Sequence, residues 1–242
     1  MAHILIDRPQ VRNALAPDTV ADLATAFLAA EQDPAVRVIV VRGAGERAFC
    51  AGIDLGASVD QRFVHPMKRN ARNLHELILE LEKPTLASIN GDCVGAGCEI
   101  ALACDLRIAV ESARFGQPEA RVGMGGNFAA VMLPQLLPRA LAMELLYTGR
   151  LFSAREAMDW GLLNRLTSPE TLDATVDELA QAIAANAPLT VRKMKATALR
   201  SQGLPTAAAL RLDCGPDPYA SQDRIEGALA FKEKRKPEFR GV

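Results

Sequence analysis

The sequence predicts an α/β protein, a parallel sheet with helices packed on it and an all-helical C-terminal region, on three observations. Val36 to Val41 is a nearly continuous β-branched run, which suits a parallel strand covered on both faces. Further apolar runs at Thr85 to Ile89 and Leu106 to Val110 alternate with helical periodicity, as βαβ units do. Beyond Pro169 the strand signals stop and only amphipathic helical patterns follow.

The chain has 242 residues, of which 49% are hydrophobic, enough for a large core. Its net charge of -1 offers no broad electrostatic footprint for nucleic acid. No apolar run approaches the roughly 20 residues of a membrane span, so neither nucleic acid nor membrane is expected as a partner. The start, MAHILIDRPQ, has a three-residue apolar run before Asp7 and does not read as a signal peptide. Five cysteines, an odd count with no CxxC pair and apolar neighbours, favour reduced core thiols and a cytoplasmic compartment. His3, His65 and His75 are scattered without metal-ligand spacing, so no metal site is expected and they read as surface or core residues.

Taken in order, Ile4 to Ile6 forms a short strand and Arg8 to Asn13 a turn. Pro17 then opens a helix with Val20, Leu23, Ala24, Phe27 and Leu28 on one face, stopped by Asp33-Pro34. After the 36–41 strand, Gly43-Ala44-Gly45 turns the chain, and Ala48 to Asp54 is a brief apolar piece breaking into a second glycine turn. A helix from about Pro66 to Glu82 is expected from Leu74, Leu77, Ile78 and Leu81. Helices around Phe128 to Leu133 and Leu141 to Tyr147 follow a flexible loop at Gly123, Gly125 and Gly126. Ser153 and Glu156 form a capping box on a helix that Gly161 ends, and Trp160 reads as core. The expected division is a core over residues 1–168 and a helical region over 169–242, packed on the sheet or on another subunit.

The stretch from Lys83 to Asp105 organises the rest. It reads as strand, Asn90-Gly91 turn, glycine-rich loop and a helix over Cys98 to Cys104. Gly95 and Gly97 let the backbone approach a ligand with its N–H groups outward, and the helix N-terminus adds positive potential. This suits negative charge developing on a ligand, whereas Glu99 in the first turn would repel a phosphate. A dinucleotide fingerprint fails because Ile100 stands where its last glycine is required, and no GxxxxGK[ST] occurs. The alternative is that both glycines serve only close helix–strand packing.

A right-handed crossover places the 85–89 and 106–110 strands side by side and parallel. The helix start and the segment past Val110, Phe115 to Glu119, then share the carboxyl edge of the sheet, where ligands bind in open α/β folds. The loop after the 36–41 strand reaches that edge too. Two carboxylates, Glu99 and Glu119, are thereby neighbours.

Five motifs, RPQVRNAL from Arg8, AFCAGIDL from Ala48, KPTLASINGDCVGAGCE from Lys83, FGQPE from Phe115 and EGALAFKEKRKPEF from Glu226, give the chain a resemblance to the enoyl-CoA hydratase/isomerase family. This crotonase superfamily resemblance implies a ClpP/crotonase-like spiral of ββα units in two nearly perpendicular sheets. It also implies a C-terminal helical region that drives trimers, often paired as hexamers. The substrate implied is an acyl-CoA thioester, with no metal or prosthetic cofactor. The resemblance maps two oxyanion-hole N–H groups to Ile53 and Ala96 and the catalytic glutamates to Glu99 and Glu119. Phe231 and Lys234 match positions that contact CoA, often across a subunit boundary, and Arg8, Gln10, Arg12, Ala51 and Asp54 are further CoA candidates.

The residue chemistry agrees. Adding water to a 2-enoyl thioester places negative charge on the thioester oxygen, which two N–H donors and a helix N-terminus would stabilise. Glu99 is assigned as the base that holds water and Glu119 as the proton donor to C2. Departures from the family pattern are Ala96 where glycine is usual and Ile53 where alanine is frequent, which imply a narrower pocket, and Gly123 to Asn127 in place of PGxGG, which leaves the acyl-chain specificity open. The alternatives are an isomerase or 3-hydroxyacyl-CoA dehydratase of the same family, a hydrolase, and a non-catalytic acyl-CoA-binding protein. A Ser-His triad has no support, because no GxSxG occurs and the matched loops lack histidine.

Overall fold

The computed structural model describes residues 1–58 and 72–242, with only the backbone of residues 57 and 58. Its principal sheet joins β1 (Ala2–Ile6), β2 (Ile39–Gly43), β4 (Thr85–Ile89), β6 (Leu106–Val110) and β9 (Arg165–Thr167) in that order, all parallel. A second sheet joins β3 (Ala48–Cys50), β5 (Asp92–Val94), β7 (Arg114–Gly116) and β8 (Leu151–Ser153), antiparallel only at its last pair. Each of β2, β4 and β6 passes through a short turn into the second sheet before the chain enters a helix. The expected ββα repeat is therefore present.

Helices fill the intervals. These are α1 (Pro17–Gln32), α2 (Leu55–Ser58), α3 (Leu74–Glu80), α4 (Ala96–Ala103), α5 (Asn127–Leu136), α6 (Arg139–Thr148) and α7 (Ala154–Asp159). The C-terminal series is α8 (Leu172–Ala184), α9 (Pro188–Arg200), α10 (Thr206–Ala209) and α11 (Gln222–Glu233). A continuous core runs through the chain: α1 packs on β1, α4 on β3, β4 and β5, and α8 on β4 and β6. Every residue of β4 and of α4 is buried, which explains their apolar, alanine-rich sequences.

Buried asparagines hold the corners between the sheets. The Asn13 amide donates to the Ala44 and Ala48 carbonyls at 3.0 and 2.8 Å. Asn90 accepts from the Gly43 N–H at 3.2 Å and donates to the Gly45 carbonyl at 2.6 Å. Backbone groups that leave the ladder at each turn are thereby satisfied.

The structure corrects several boundaries. In α1 the buried set is Leu23, Phe27 and Ala30, while Leu28 is exposed, since it lies 100° past Phe27 and at the rim of the stripe. The second strand starts at Ile39, although Val36 and Val38 are buried ahead of it. Asn73 starts α3 with a capping box to Glu76, so this helix begins at Leu74; the part expected at 66–71 lies outside the described residues, as does His65. The glycine-rich loop contains strand β5, and α4 begins two residues early, at Ala96. Trp160 is only partly buried, with Phe152 beside its ring and the Arg150 guanidinium 5.6 Å above it. All five cysteines are free and buried.

Gly97 meets the second sheet so closely that an added Cβ would lie 2.3 Å from the Cys50 carbonyl oxygen. Backbone cannot yield as a side chain would. Gly97→Ala is expected to cost about 3 kcal/mol or more by overpacking, read as a lowered midpoint in thermal or urea unfolding. An unchanged midpoint would mean that α4 can lift off β3 without loss.

Candidate active site

Two loops and two helix starts converge on a cavity of about 170 Å³. A larger groove of about 710 Å³ lies between β1 and α1. Size does not select the site here; the smaller cavity is the one lined by Glu99 and Glu119, both with perturbed ionisation.

Gly52 begins the first loop at φ +97°, and the 51–54 segment runs beside Leu15 as a parallel bridge. Leu15 N–H donates to the Gly52 carbonyl at 2.8 Å and Asp54 N–H donates to the Leu15 carbonyl at 2.9 Å. In that pairing the N–H of Ile53 faces away from Leu15, and it has no hydrogen-bond acceptor among the described residues. Arg8 braces this loop from behind, donating to the Ala14 carbonyl at 2.6 Å and pairing with Asp54 at 3.1 Å.

The second loop crosses the first at Gly52, whose added Cβ would sit 3.6 Å from the Ala96 nitrogen. Gly95 takes φ +56°, a conformation that favours glycine, and its own N–H is engaged by the Gly116 carbonyl at 2.9 Å. Ala96 is the first residue of α4, so its N–H has no intrahelical partner. It too lacks an acceptor among the described residues. Ala96 does not take positive φ, so alanine is unstrained here; the positive angle falls on Gly95. Two unengaged backbone donors, Ile53 and Ala96, thus border the same cavity.

Glu99 lies one turn along α4 and is buried. Its Oε1 accepts the Ala129 N–H at 2.9 Å, near the start of α5. Burial raises its pKa, against the lowering effect of the Ala129 and Phe128 N–H groups. Glu119 sits in the 3-10 turn Pro118–Val122 over Gly95, where an added Cβ would come within 3.0 Å of its Oε1. Gly95 is therefore needed for its conformation and to leave room for this carboxylate. Burial pushes Glu119 up to about 7, and the Glu99 charge adds to the shift. Buried Gln117, its amide oriented by hydrogen bonding, donates to both Glu119 oxygens at 3.2 and 3.1 Å.

The structure brings Ala51, Ile53, Ala96, Glu99 and Glu119 together at the cavity. Of the other candidates, Arg8 is engaged with Asp54, exposed Gln10 lies in the neighbouring turn, and the Arg12 carbonyl accepts the Ala51 N–H at 3.0 Å. Phe231, 88% exposed, and Lys234, the cap of α11, are not among the residues lining it. Two residues were not singled out from the sequence. Gln117 belongs to the FGQPE motif, in which only Glu119 has an expected role. His75 read as a scattered histidine, yet it lines the cavity from α3; its only signal was its place beside the apolar stripe of that helix.

Because Glu119 has a folded pKa above the usual carboxylate value, the folded chain binds more protons than the unfolded chain between about pH 4.5 and 7. Stability contributed by this group therefore falls as pH rises through that window. Glu119→Gln is expected to raise the thermal midpoint relative to wild type more at pH 8 than at pH 5. Equal differences at the two pH values would remove burial of the charge as the cause.

The enoyl-CoA hydratase/isomerase family model matches residues 1–242. A crotonyl-CoA hydratase of Syntrophomonas wolfei is 37% identical, with the alignment covering 99% of this chain and 94% of the relative. A short-chain-enoyl-CoA hydratase of Clostridium acetobutylicum is 34% identical over 98% of this chain and 93% of its own. The crystal structure of an enoyl-CoA hydratase from Bacillus anthracis matches with a TM-score of 0.91 at 32% identity, covering 99% of this chain and 95% of that one. The agreement spans nearly the whole chain, and on it the chain belongs to the enoyl-CoA hydratase/isomerase family, with the crotonase fold.

Proposed function

We propose that this chain is an enoyl-CoA hydratase, adding water reversibly across the C2=C3 bond of a 2-enoyl-CoA thioester. The observation that carries this reading is the convergence of two carboxylates of raised pKa and two unengaged backbone N–H groups on one cavity. The thioester oxygen accepts from Ile53 and Ala96, and the start of α4 adds its dipole as charge builds there. Glu99 is the base: with Oε1 held by the Ala129 N–H, it takes a proton from the water that attacks C3. Glu119, with a pKa of about 7, is partly protonated near neutral pH and delivers a proton to C2. Exchange through the next water returns the proton from Glu99 to Glu119, completing the cycle.

This chemistry requires no metal or prosthetic group. An isomerase needs one carboxylate as a proton shuttle, so a pair facing one cavity supports hydration or its reverse. Among the described residues, Ile53, Leu55, Val122, Met124 and Phe128 give the wall a largely apolar face, which suits an acyl chain. For assembly we propose a homotrimer or a hexamer through the region 169–242, whose exposed Met194, Leu210, Tyr219 and Phe231 would be covered by a neighbour. Phe231 and Lys234 would then reach the CoA of an adjacent subunit, with Arg8, Gln10, Arg12, Ala51 and Asp54 on the other side. A cytoplasmic location fits the unpaired thiols.

Glu99→Gln and Glu119→Gln are each expected to lower kcat for trans-2-butenoyl-CoA by about 100-fold or more, with thioester binding nearly intact. Wild-type turnover in either variant would remove that glutamate from the mechanism. In a complex with an acyl-CoA, the thioester oxygen should lie roughly 2.7–3.2 Å from both the Ile53 and Ala96 nitrogens. An oxygen pointing elsewhere would leave only the fold and CoA binding. Light scattering should give a mass of three chains or a multiple of three, and a monomer at micromolar concentration would overturn the assembly.

A further inference from the structure

His75 occupies a position in the cavity wall that the two-glutamate mechanism does not use. Its Nε2 lies 3.2 Å from the Ala96 carbonyl oxygen and 3.8 Å from Glu99 Oε2, and its ring stands 5.4 Å from that of Phe128. A carbonyl only accepts, so Nε2 carries the hydrogen and the tautomer is set. We infer that His75 is a positioning residue for the reaction, using one Nε2–H to hold the first turn of α4, the turn that carries both the Ala96 donor and the Glu99 base.

The geometry separates this from an ordinary core histidine. The Ala96 carbonyl is the first in α4 and also receives the helical N–H of Ile100. A second donor from α3 restrains the peptide next to the Ala96 N–H, and with it the direction of that N–H. Glu99 has Oε1 restrained by Ala129, while Oε2 faces the imidazole. One ring therefore bonds α3 to the turn that carries both reacting groups and stands beside Glu99 Oε2. The charged groups around it are Glu99 from α4 and Glu76 on its own helix, with Glu119 lining the same cavity; α5 contributes Phe128. Burial pushes the imidazole down to about 4, so it is neutral at working pH and leaves Glu99 an ionisable base without an adjacent cation.

This inference rests on the hydratase reading, and its test is chosen to fail separately. His75→Phe keeps a ring against Phe128 and removes the donor; His75→Gln keeps an N–H of similar reach. The phenylalanine variant is expected to lose about 10- to 100-fold in kcat with KM within about threefold, and the glutamine variant to recover to within about fivefold of wild type. A role in packing alone would lower the unfolding midpoint in both variants without that split. Two readouts need no turnover. Nitrogen-15 NMR of the whole protein should show His75 neutral and protonated at Nε2 from pH 5 to 8. The infrared carbonyl stretch of a bound saturated acyl-CoA should be less shifted in His75→Phe than in wild type. Wild-type kcat in His75→Phe, an Nδ1–H tautomer, an imidazolium at pH 7, or an unchanged carbonyl shift would each overturn the proposal. Should His75→Phe not fold, the NMR spectrum and His75→Gln decide it. If wild type hydrates no enoyl thioester, the hydratase reading falls, while the NMR and infrared results still decide the role of His75.

Discussion

The missing side chain of Gly97 is the constraint on which the rest depends. It lets α4 seat directly on the Cys50 carbonyl, a contact in which even a methyl group has no room. Seating α4 there places its N-terminus against the Gly52 loop, so two backbone N–H groups from separate ββα units meet. Gly95, two residues earlier, is required for a different reason. It turns the chain at positive φ and clears space for Glu119.

The same burial that builds the core shapes the chemistry. Desolvation is the largest influence on both Glu99 and Glu119, and the Glu99 charge adds a smaller rise at Glu119. At both carboxylates N–H donors oppose the rise: Glu99 accepts from Ala129 and Phe128 at the α5 start, and Glu119 from its own backbone and from Gln117, yet Glu119 carries the larger resolved shift. Separation of base from acid thus follows from how far burial outweighs the donors at each carboxylate.

Rigidity at the cavity comes from groups that do no chemistry. Asn13 and Asn90 satisfy the corners that send the chain from one sheet to the other. Arg8 ties the 51–54 loop to the turn before α1 through Asp54 and Ala14. Charged residues first read as contacts for a ligand can therefore also serve as braces; a partly buried ion pair with an extra carbonyl bond restrains a loop better than an exposed one.

Local pattern decided much of this protein. The strands Thr85–Ile89 and Leu106–Val110, the α1 start at Pro17 and the Ser153 capping box stand where their residues predict, because continuous apolar runs and caps act within a few residues of themselves. The motifs likewise pointed to Glu99, Glu119, Ile53 and Ala96, which meet at the cavity. Three-residue strands such as β5 and β9 were not legible, since pairing with a partner defines them and their own alternation is too short to signal. Nor could the chain alone show that Arg8 faces Asp54, that Gln117 holds Glu119, or that His75 reaches α4. Those contacts join residues 46, 2 and 21 positions apart, and each depends on side-chain directions that exist only after the sheets have stacked and the helices have packed against them.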